Sequence, residues 1–312
     1  MIFHYLKIAF RNLCKHKTQN IISIIGLAVG LLCFCVCIYC SRFVESTDHC
    51  FANHDRIAEL NLYDGKADRY FSGSPVPLAE ELRTWALGET EAISSVTYPR
   101  ERPYYVELSP EKTLPYELET IEIDTCYNKI FTPEMVAGHW KMASQSLNSV
   151  ILSQSMAIKI FGNAESAIGK HMTLMRRLNT SPESTPKTGG IVYIIQAVMK
   201  DIPLNNSLDF MQNIDMLTVN DSEGLLQSPK RHNMTGANTY VLLSPQTTCT
   251  DLEKQFSKRD YTYTLYDEAY TVTASNMGSR LKKQGASYLE LVTGTVGTLI
   301  LLVGLINFFH FL

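Results

Sequence analysis

The chain has 312 residues, of which 45% are hydrophobic and 19% are charged, and its formal net charge is −3. This composition excludes a disordered or fibrous chain and predicts globular structure with a small number of membrane spans. Within residues 42–287, which separate the two spans predicted below, acids outnumber bases by six. This acidic excess argues against nucleic acid as a partner.

The first twenty residues form a basic leader. Its charged side chains are Lys7, Arg11, Lys15 and Lys17, and no acid accompanies them. Apolar residues recur between them at helical spacing, which predicts an amphipathic helix on the membrane surface over residues 1–20. The positive-inside tendency places this leader in the cytoplasm.

Residues 21–41 are predicted to form a first transmembrane helix. Residues 21–39 read IISIIGLAVGLLCFCVCIY, without a charge or a proline. At ~1.5 Å per residue this run spans roughly 28 Å, close to the hydrocarbon thickness of a bilayer. A cleaved signal peptide is the alternative, but the run is longer than a signal's apolar region and no small-x-small cleavage site follows. We expect the segment to stay as an anchor.

A second apolar run predicts another transmembrane helix over residues 288–312. Residues 291–312 read LVTGTVGTLILLVGLINFFHFL and reach the last residue without a basic aqueous flank. Returning membrane helices usually end in such a flank. We therefore expect the chain to be an N-terminal fragment of a larger membrane protein. The alternative is a bitopic protein whose tail ends in the membrane.

Residues 42–287 are predicted to form an α+β extracytoplasmic region, as one large domain or two small ones. Alternating and β-branched runs predict strands over residues 57–63, 93–98, 104–108, 118–123, 149–152, 171–177, 191–200, 213–219 and 239–243. Helices are expected after Pro77 and over residues 154–160 and 250–258, with Ser153 as an N-cap and Gly162 as a stop. The strands around the polar loop 179–190 are expected to pair as a hairpin.

The exported cysteines do not suggest a disulfide framework. Three of the eight cysteines, Cys50, Cys126 and Cys249, lie in this region, at wide separations. One bridge among them is left open. The residues that most resemble a metal site are Asp48, His49, Cys50, His54 and Asp55. Their spacing fits no standard zinc pattern, so no metal site is expected.

The chain carries no motif of a common catalytic site. It contains no Gly-x4-Gly-Lys-Ser/Thr loop, no GxSxG and no HExxH element, so we expect no catalytic residue and no cofactor. In the first span, Gly26 and Gly30 form a GxxxG step, which lets helices approach closely. We expect this face to contact the second span or another subunit. The alternative is a lipid-facing helix that merely contains small residues.

Several segments, taken in chain order, resemble one family of membrane proteins. They are residues 6–13, 24–30, 55–57, 75–82, 131–138, 149–162, 168–170, 198–203 (VMKDIP) with Ser207, and 306–308 (INF). The series is similar to a MacB-type periplasmic core followed by an FtsX-like permease segment of ABC transporters, in its Bacteroidetes form. Each segment alone is a weak signal, and the specificity comes from their combination.

The resemblance implies a permease subunit of an ABC transporter in the inner membrane. Its exported domain would move when a cytoplasmic ABC ATPase closes on ATP, for export or for mechanotransmission. The implied partners are that ATPase, a second permease copy or half in a dimer, and a periplasmic partner protein. Gly26, Gly30 and Asn307 would pack membrane helices. The alternative function is a bitopic sensor or ligand-binding protein, and the sequence identifies neither a substrate nor a direction of transport.

Overall fold

The computed structural model describes residues 17–71, 73–109, 112–174, 190–209, 212–222, 224–227, 236–265, 267–279 and 287–310. The chain divides into two units, one formed by Asp48–Ser279 and the other by Met1–Thr47 with Arg280–Leu312. Most of the predicted leader and of the polar loop 179–190 lies outside the described residues.

Seven helices and thirteen strands are numbered along the described chain. The helices are α1 Lys17–Glu45, α2 Leu78–Arg83, α3 Tyr127–Phe131, α4 Trp140–Gln145, α5 Gln154–Phe161, α6 Cys249–Lys258 and α7 Ser287–His310. The strands are β1 Ile57–Asp64, β2 Arg69–Tyr70, β3 Thr90–Thr97, β4 Arg100–Ser109, β5 Lys112–Ile123, β6 Met135–Gly138, β7 Ser149–Ser153, β8 His171–Leu174, β9 Val192–Met199, β10 Met216–Val219, β11 Ala237–Leu243, β12 Thr262–Leu265 and β13 Glu268–Asn276. Short 3₁₀ helices cover His54–Arg56, Glu165–Ala167 and Leu225–Gln227.

Helix α1 contains the first predicted span. Its part Ile24–Glu45 is long and apolar enough to cross a membrane. Apolar side chains on its surface are exposed, for example Leu32 at 64% and Val29 at 51%. In α7 the apolar stretch among the described residues is the shorter Gly294–Val303. The second crossing therefore stays a prediction.

Six strands of the domain close on themselves. They run in the order β10, β7, β9, β8, β4, β5, and β10 also pairs with β5. The pairs β7–β9 and β10–β5 are parallel, and the others in this ring are antiparallel. Alternating residues of these strands form one apolar cluster, which includes Tyr104, Leu118, Val150, Tyr193 and Met216. Closure removes free strand edges, which would otherwise expose unpaired backbone groups.

Five further strands extend the sheet from β5 in the order β3, β11, β1, β13, β12, while β2 pairs with β1 and β6 pairs with β9. Strand β1 lies between β11 and β13, antiparallel to both. A second apolar cluster covers this part with α2 and α6, through side chains such as Leu60, Leu82, Val241, Leu252 and Phe256. The fold is mixed α and β, and the predicted fold class is confirmed.

Local predictions in the middle of the domain are also confirmed. Ser153 caps α5 by accepting a hydrogen bond from the Met156 amide, and Gly162 ends it with φ of 86°. Strands β8 and β9 form the expected antiparallel hairpin. The β12–β13 hairpin lies beyond the last strand predicted from the sequence, residues 239–243. Tyr263 and Tyr270 lie opposite each other in that pair.

Several acids of the domain have raised pKa values. Burial and the neighbouring Asp221 carboxylate raise the pKa of Glu122. Burial also raises the pKa values of Asp209 and Asp215. The folded domain thus holds protons that the unfolded chain releases above its ordinary pKa of about 4. These acids contribute most to the free energy of unfolding below that pH. Their contribution is lost as the pH rises through the pKa values that they have in the folded domain.

We therefore expect the thermal midpoint of the domain to be higher at pH 5 than at pH 7, and the difference to shrink in Glu122→Gln. The matched control is Asp251→Asn. Lys254 and Thr248 lower the pKa of Asp251 to about 2, so its contribution does not change between these pH values. Differential scanning calorimetry of the three proteins at both pH values measures the effect. An unchanged difference in Glu122→Gln would contradict this assignment.

Candidate functional site

The chain enters the domain at Asp48, whose backbone and side chain are both fixed. The residue has φ of 69° and is 2% exposed. Its amide donates to the Asn205 carbonyl oxygen at 3.0 Å. Its carboxylate accepts two hydrogen bonds from Ser207, one from the amide at 2.6 Å and one from the hydroxyl. Asp48 is thus tied to the loop that follows β9.

The chain leaves the domain beside the same carboxylate. Gly278 has φ of +74°, and a Cβ atom placed there would stand 2.6 Å from Asp48 Oδ2 and 3.4 Å from Ser207 Oγ. Only glycine combines this backbone conformation with so close an approach. Next to it, the Met277 amide donates to the Ile57 carbonyl oxygen at 2.9 Å. We call Asp48, Asn205, Ser207 and Gly278 the base clasp.

The loop that supplies Ser207 is itself held in place. Asn206 is fully buried, and its side-chain amide donates to the Pro203 carbonyl oxygen at 2.7 Å. Its side-chain oxygen Oδ1 accepts hydrogen bonds from the backbone amides of Leu208 and Asp209 at 2.9 and 3.0 Å. These bonds close a compact turn directly before and after Ser207. The base clasp therefore rests on an ordered loop.

Both carboxylate oxygens of Asp48 accept hydrogen bonds from Ser207, and this pair of bonds acts as a tether between the two residues. Hydrogen bonds to an ionised carboxylate are worth about 1.5–3 kcal/mol each. The tether joins Asp48, the first residue of the domain, to the loop that follows β9. Gly278, where the chain leaves the domain, packs against the same carboxylate. A force applied at either end of the domain therefore acts on this one hydrogen-bonded contact.

The metal-like residues near this point have other contacts. The His54 ring lies 4.4 Å from the His49 ring, and His54 Nε2 lies 3.2 Å from Asp55 Oδ1. Burial and the Asp48 carboxylate raise the pKa of Cys50 to about 11, which keeps its thiol protonated at neutral pH. Within the part of the chain that the structure describes, no three potential ligands converge. Cys50, Cys126 and Cys249 are free thiols.

In the other unit, α1 and α7 pack against each other at glycines. Gly30 is buried, and a Cβ atom there would stand 3.1 Å from the Ile300 carbonyl oxygen. Gly26 is half-buried. At Gly297 of α7, a Cβ atom would stand 2.9 Å from Cys37 Sγ. Asn307 belongs to α7, but its side chain is outside the described part. The packing roles of Gly26, Gly30 and Asn307 in the membrane stay predictions.

The contact between Gly297 and Cys37 can be tested by disulfide formation. In a disulfide, the Cβ of one cysteine lies about 3 Å from the sulfur of the other, given the bond lengths of that group. We expect Gly297→Cys to form an intramolecular bond with Cys37 under mild oxidation, in a background where Cys33, Cys35 and Cys40 are alanine. The measurement is a change in gel mobility that reductant reverses.

The matched control is Gly294→Cys, because nothing lies within 4 Å of a Cβ atom at that position. It should give no bond to Cys37 in the same background. Adding Gly30→Leu to Gly297→Cys should abolish the bond, because the larger side chain separates the helices. Equal yields at positions 294 and 297 would contradict the helix pairing.

Sequence reasoning missed parts of both features. Asp48 was considered only as a metal-like residue, and Ser207 only as part of a resemblance. Gly278 and Gly297 were not singled out. A signal existed for Gly297, since it lies four residues after Thr293 in an apolar helix, and this small-xxx-small spacing permits close helix contacts. No local signal joins Asp48 to Ser207.

Comparisons with known proteins place this fold. No protein-family model matches the chain, and no curated protein matches its sequence. A solved domain of a protein described as a permease, from Porphyromonas gingivalis, is similar in structure. Its TM-score is 0.53 at 20% identity, over 73% of this chain and 93% of that one. This likeness establishes the fold.

Two further structures are similar at lower scores. The periplasmic region of MacB from Actinobacillus actinomycetemcomitans has a TM-score of 0.46 at 13% identity, over 76% of this chain and 94% of that one. The extracellular domain of the noncanonic ABC-type transporter YknZ from Gram-positive bacteria has 0.38 at 13%, over 70% and 100%. The neighbours are thus domains of permease and transporter proteins. The resemblance predicted from the sequence is confirmed at the level of the fold.

Proposed function

We propose that the chain is part of the membrane-spanning permease subunit of an ABC transporter. In this role, a cytoplasmic ATPase supplies the movement, and the domain Asp48–Ser279 receives it on the outer side of the inner membrane. The N-terminus lies in the cytoplasm, α1 crosses outward and α7 crosses back. The function is export or mechanotransmission, without catalysis by this chain and without a cofactor.

The base clasp is the observation that carries this proposal. Asp48 and Gly278 mark the two places where the chain passes between the domain and the helices, and they meet at one carboxylate. A domain with separate, loosely held ends would absorb a small displacement by local bending. A domain tied at its base transmits that displacement as a rigid body, which is the usual element of hinge and shear motions.

The surface of α1 supports the membrane part of the proposal. The helix is long enough to cross, and exposed apolar side chains follow it along its length: Ile21, Ile24, Ile25, Val29, Leu31, Leu32, Val36 and Ile38. Such a surface is stable in lipid and costly in water. The close contact at Gly30 suits helix packing in a membrane, where small residues permit van der Waals contact.

The orientation can be tested with single cysteines in a variant without native cysteines. Glu117→Cys lies on an exposed part of β5, and Lys17→Cys lies at the start of α1. A membrane-impermeant maleimide added to intact spheroplasts should label position 117, and should label position 17 only after permeabilisation. The reverse pattern would overturn the proposed topology.

The partner can be tested by purification. The tagged chain, expressed at its native level and cross-linked in cells before extraction, should copurify with an ATP-binding subunit and with a second permease copy. A tagged membrane protein of unrelated fold serves as the control. A complete absence of an ATP-binding subunit would overturn the permease role and favour the bitopic sensor.

A further inference from the structure

The ring of six strands closes where β10 pairs with β5 in parallel, and we call this pairing the ring seam. It begins at Thr120 and Met216. Directly before it, the Asp215 amide donates to the Glu119 carbonyl oxygen at 2.9 Å, and the Glu119 amide donates to Asp215 Oδ2 at 3.0 Å. The Ser153 amide of β7 donates to the Asp215 carbonyl oxygen at 2.8 Å. Asp215 therefore joins β5 and β7 at the point where the ring closes.

Glu119 lies directly opposite another acid on the neighbouring strand. In the antiparallel register of β4 and β5 its partner is Glu101. Because the amide and the carbonyl oxygen of Glu119 both bond to Asp215, they point away from β4. The pair of Glu101 and Glu119 is therefore of the non-hydrogen-bonded type, in which opposite side chains approach most closely. Two like charges in such a pair destabilise the strand pairing.

A third acid near the seam is buried and has one oxygen without a partner. Asp209 is 9% exposed, and its Oδ2 has no hydrogen-bond partner among the described residues. Its amide donates to the Asn206 side chain at 3.0 Å, so the residue is fixed in place. A buried carboxylate without a partner is costly when it is ionised, and such a group is stabilised by taking up a proton. In agreement, burial raises the pKa of Asp209.

The charged groups around Glu119 and Asp215 come from four other elements. Burial raises the pKa of Glu119, and three nearby carboxylates add to the rise: Asp209, Glu101 and Asp215. Burial also raises the pKa of Asp215, while the Glu119 amide and the Lys159 ammonium of α5 lower it and the Asp201 carboxylate raises it further. Five carboxylates thus share one ammonium group at this end of the seam.

The two arginines of β4 near the seam lie on the other face of the sheet. Arg100 and Arg102 flank Glu101 in the strand, and successive side chains of a strand point to opposite faces. On that other face, Arg102 contacts Glu122 at 3.3 Å. The arginines therefore do not offset the charge of Glu119.

We propose that the ring seam is a pH-sensitive latch. When Glu119 and Asp209 carry protons, the seam is held closed. When both are ionised, the repulsion among Glu101, Glu119 and Asp209 loosens the pairing of β10 with β5, while the rest of the domain stays folded. The latch is a property of the domain and does not depend on the permease role.

The direction of the effect follows from linkage. A carboxyl group whose pKa is raised in the closed seam binds its proton more tightly there than in the open chain. Its contribution to closure is complete below the ordinary carboxyl pKa of about 4 and is lost as the pH rises through the pKa of the closed seam. The latch is therefore tighter at pH 5 than at pH 7.

The test is hydrogen exchange of the full chain in detergent micelles at pH 5 and pH 7, measured by mass spectrometry and corrected for the intrinsic exchange rate at each pH. In the wild type, we expect the β10 amides to exchange about threefold to fivefold faster at pH 7 after this correction, as expected for like charges opposed across strands. Amides of the β12–β13 hairpin lie outside the seam and should change less than those of β10.

Three variants assign the difference to the named acids. Glu119→Gln and Asp209→Asn should each reduce the pH difference at β10, and the double variant should abolish it. Glu101→Gln removes the opposed charge from an exposed position and should also reduce it, which keeps the test valid if a buried substitution fails to fold. The matched control is Glu117→Gln, an exposed position two residues earlier on the same face of β5, which should keep the full difference.

Thermal unfolding of each variant checks that it is folded. The proposal is overturned if the wild type shows no pH difference at β10, or if the folded variants without Glu119, Asp209 or Glu101 keep it. An equal change in the β12–β13 hairpin would assign the effect to the stability of the whole domain and would likewise overturn the latch.

Discussion

Asp48→Ala is expected to lower the free energy of unfolding of the domain by about 3 kcal/mol. The substitution leaves the amide and the hydroxyl of the half-buried Ser207 without their acceptor. It also places alanine at φ of 69°, a conformation that Asp and Asn tolerate better. Denaturant unfolding of the full chain in micelles, followed by tryptophan fluorescence, measures the loss. Both tryptophans of the chain, Trp85 and Trp140, lie in the domain.

Three further variants separate the clasp from a general effect of substitution. Asp48→Asn keeps the backbone preference and one acceptor oxygen, so it should lose about half as much. Ser207→Ala removes one of the two donors, and the double variant Asp48→Ala with Ser207→Ala should cost less than the sum of the single changes by at least about 1 kcal/mol. Additive losses would mean that the two residues act independently, which would contradict the tether.

Gly138→Ala is expected to lower the free energy of unfolding by about 4 kcal/mol. Gly138 has φ of +70°, and a Cβ atom there would stand 2.2 Å from the Gln196 carbonyl oxygen and 2.8 Å from the Ala197 Cα atom. Both are backbone atoms of β9, which pairs with β6 at this point. Neither can move without breaking the sheet, so the strand β6 should detach.

The matched control is Gly162→Ala. Gly162 has a similar φ of +86°, but nothing lies within 4 Å of a Cβ atom there. It should therefore cost only the backbone strain, about 1–2 kcal/mol. The difference between the two variants measures the steric clash alone. Hydrogen exchange at the β6 amides should rise in Gly138→Ala and stay unchanged in Gly162→Ala. Equal losses in both proteins would contradict the close approach of β6 to β9.

Local chemistry made part of this protein predictable. Helix α1 was visible as a long run without charge, because a bilayer demands that pattern from each spanning segment by itself. The cap at Ser153, the stop at Gly162 and the β8–β9 hairpin were visible because caps and hairpins join residues that are close in the chain or separated by one loop. Gly138 lies in the segment 131–138, which resembles a family. The reason for a glycine there, the close approach of β6 to the backbone of β9, became visible only in the structure.

Contacts between distant segments were decided only by the tertiary structure. The base clasp joins Asp48 to Ser207 and Gly278, and one cavity of the domain is lined by Ser95, Glu122 and Asp221. Closure of the strand ring depends on β10 pairing with β5, which no alternation of residues could indicate. Hydrophobic periodicity and helix capping depend on the contacts of each segment with its immediate surroundings. Which segments meet depends on the one arrangement that buries the apolar faces together and satisfies their polar groups, and that choice belongs to the whole chain.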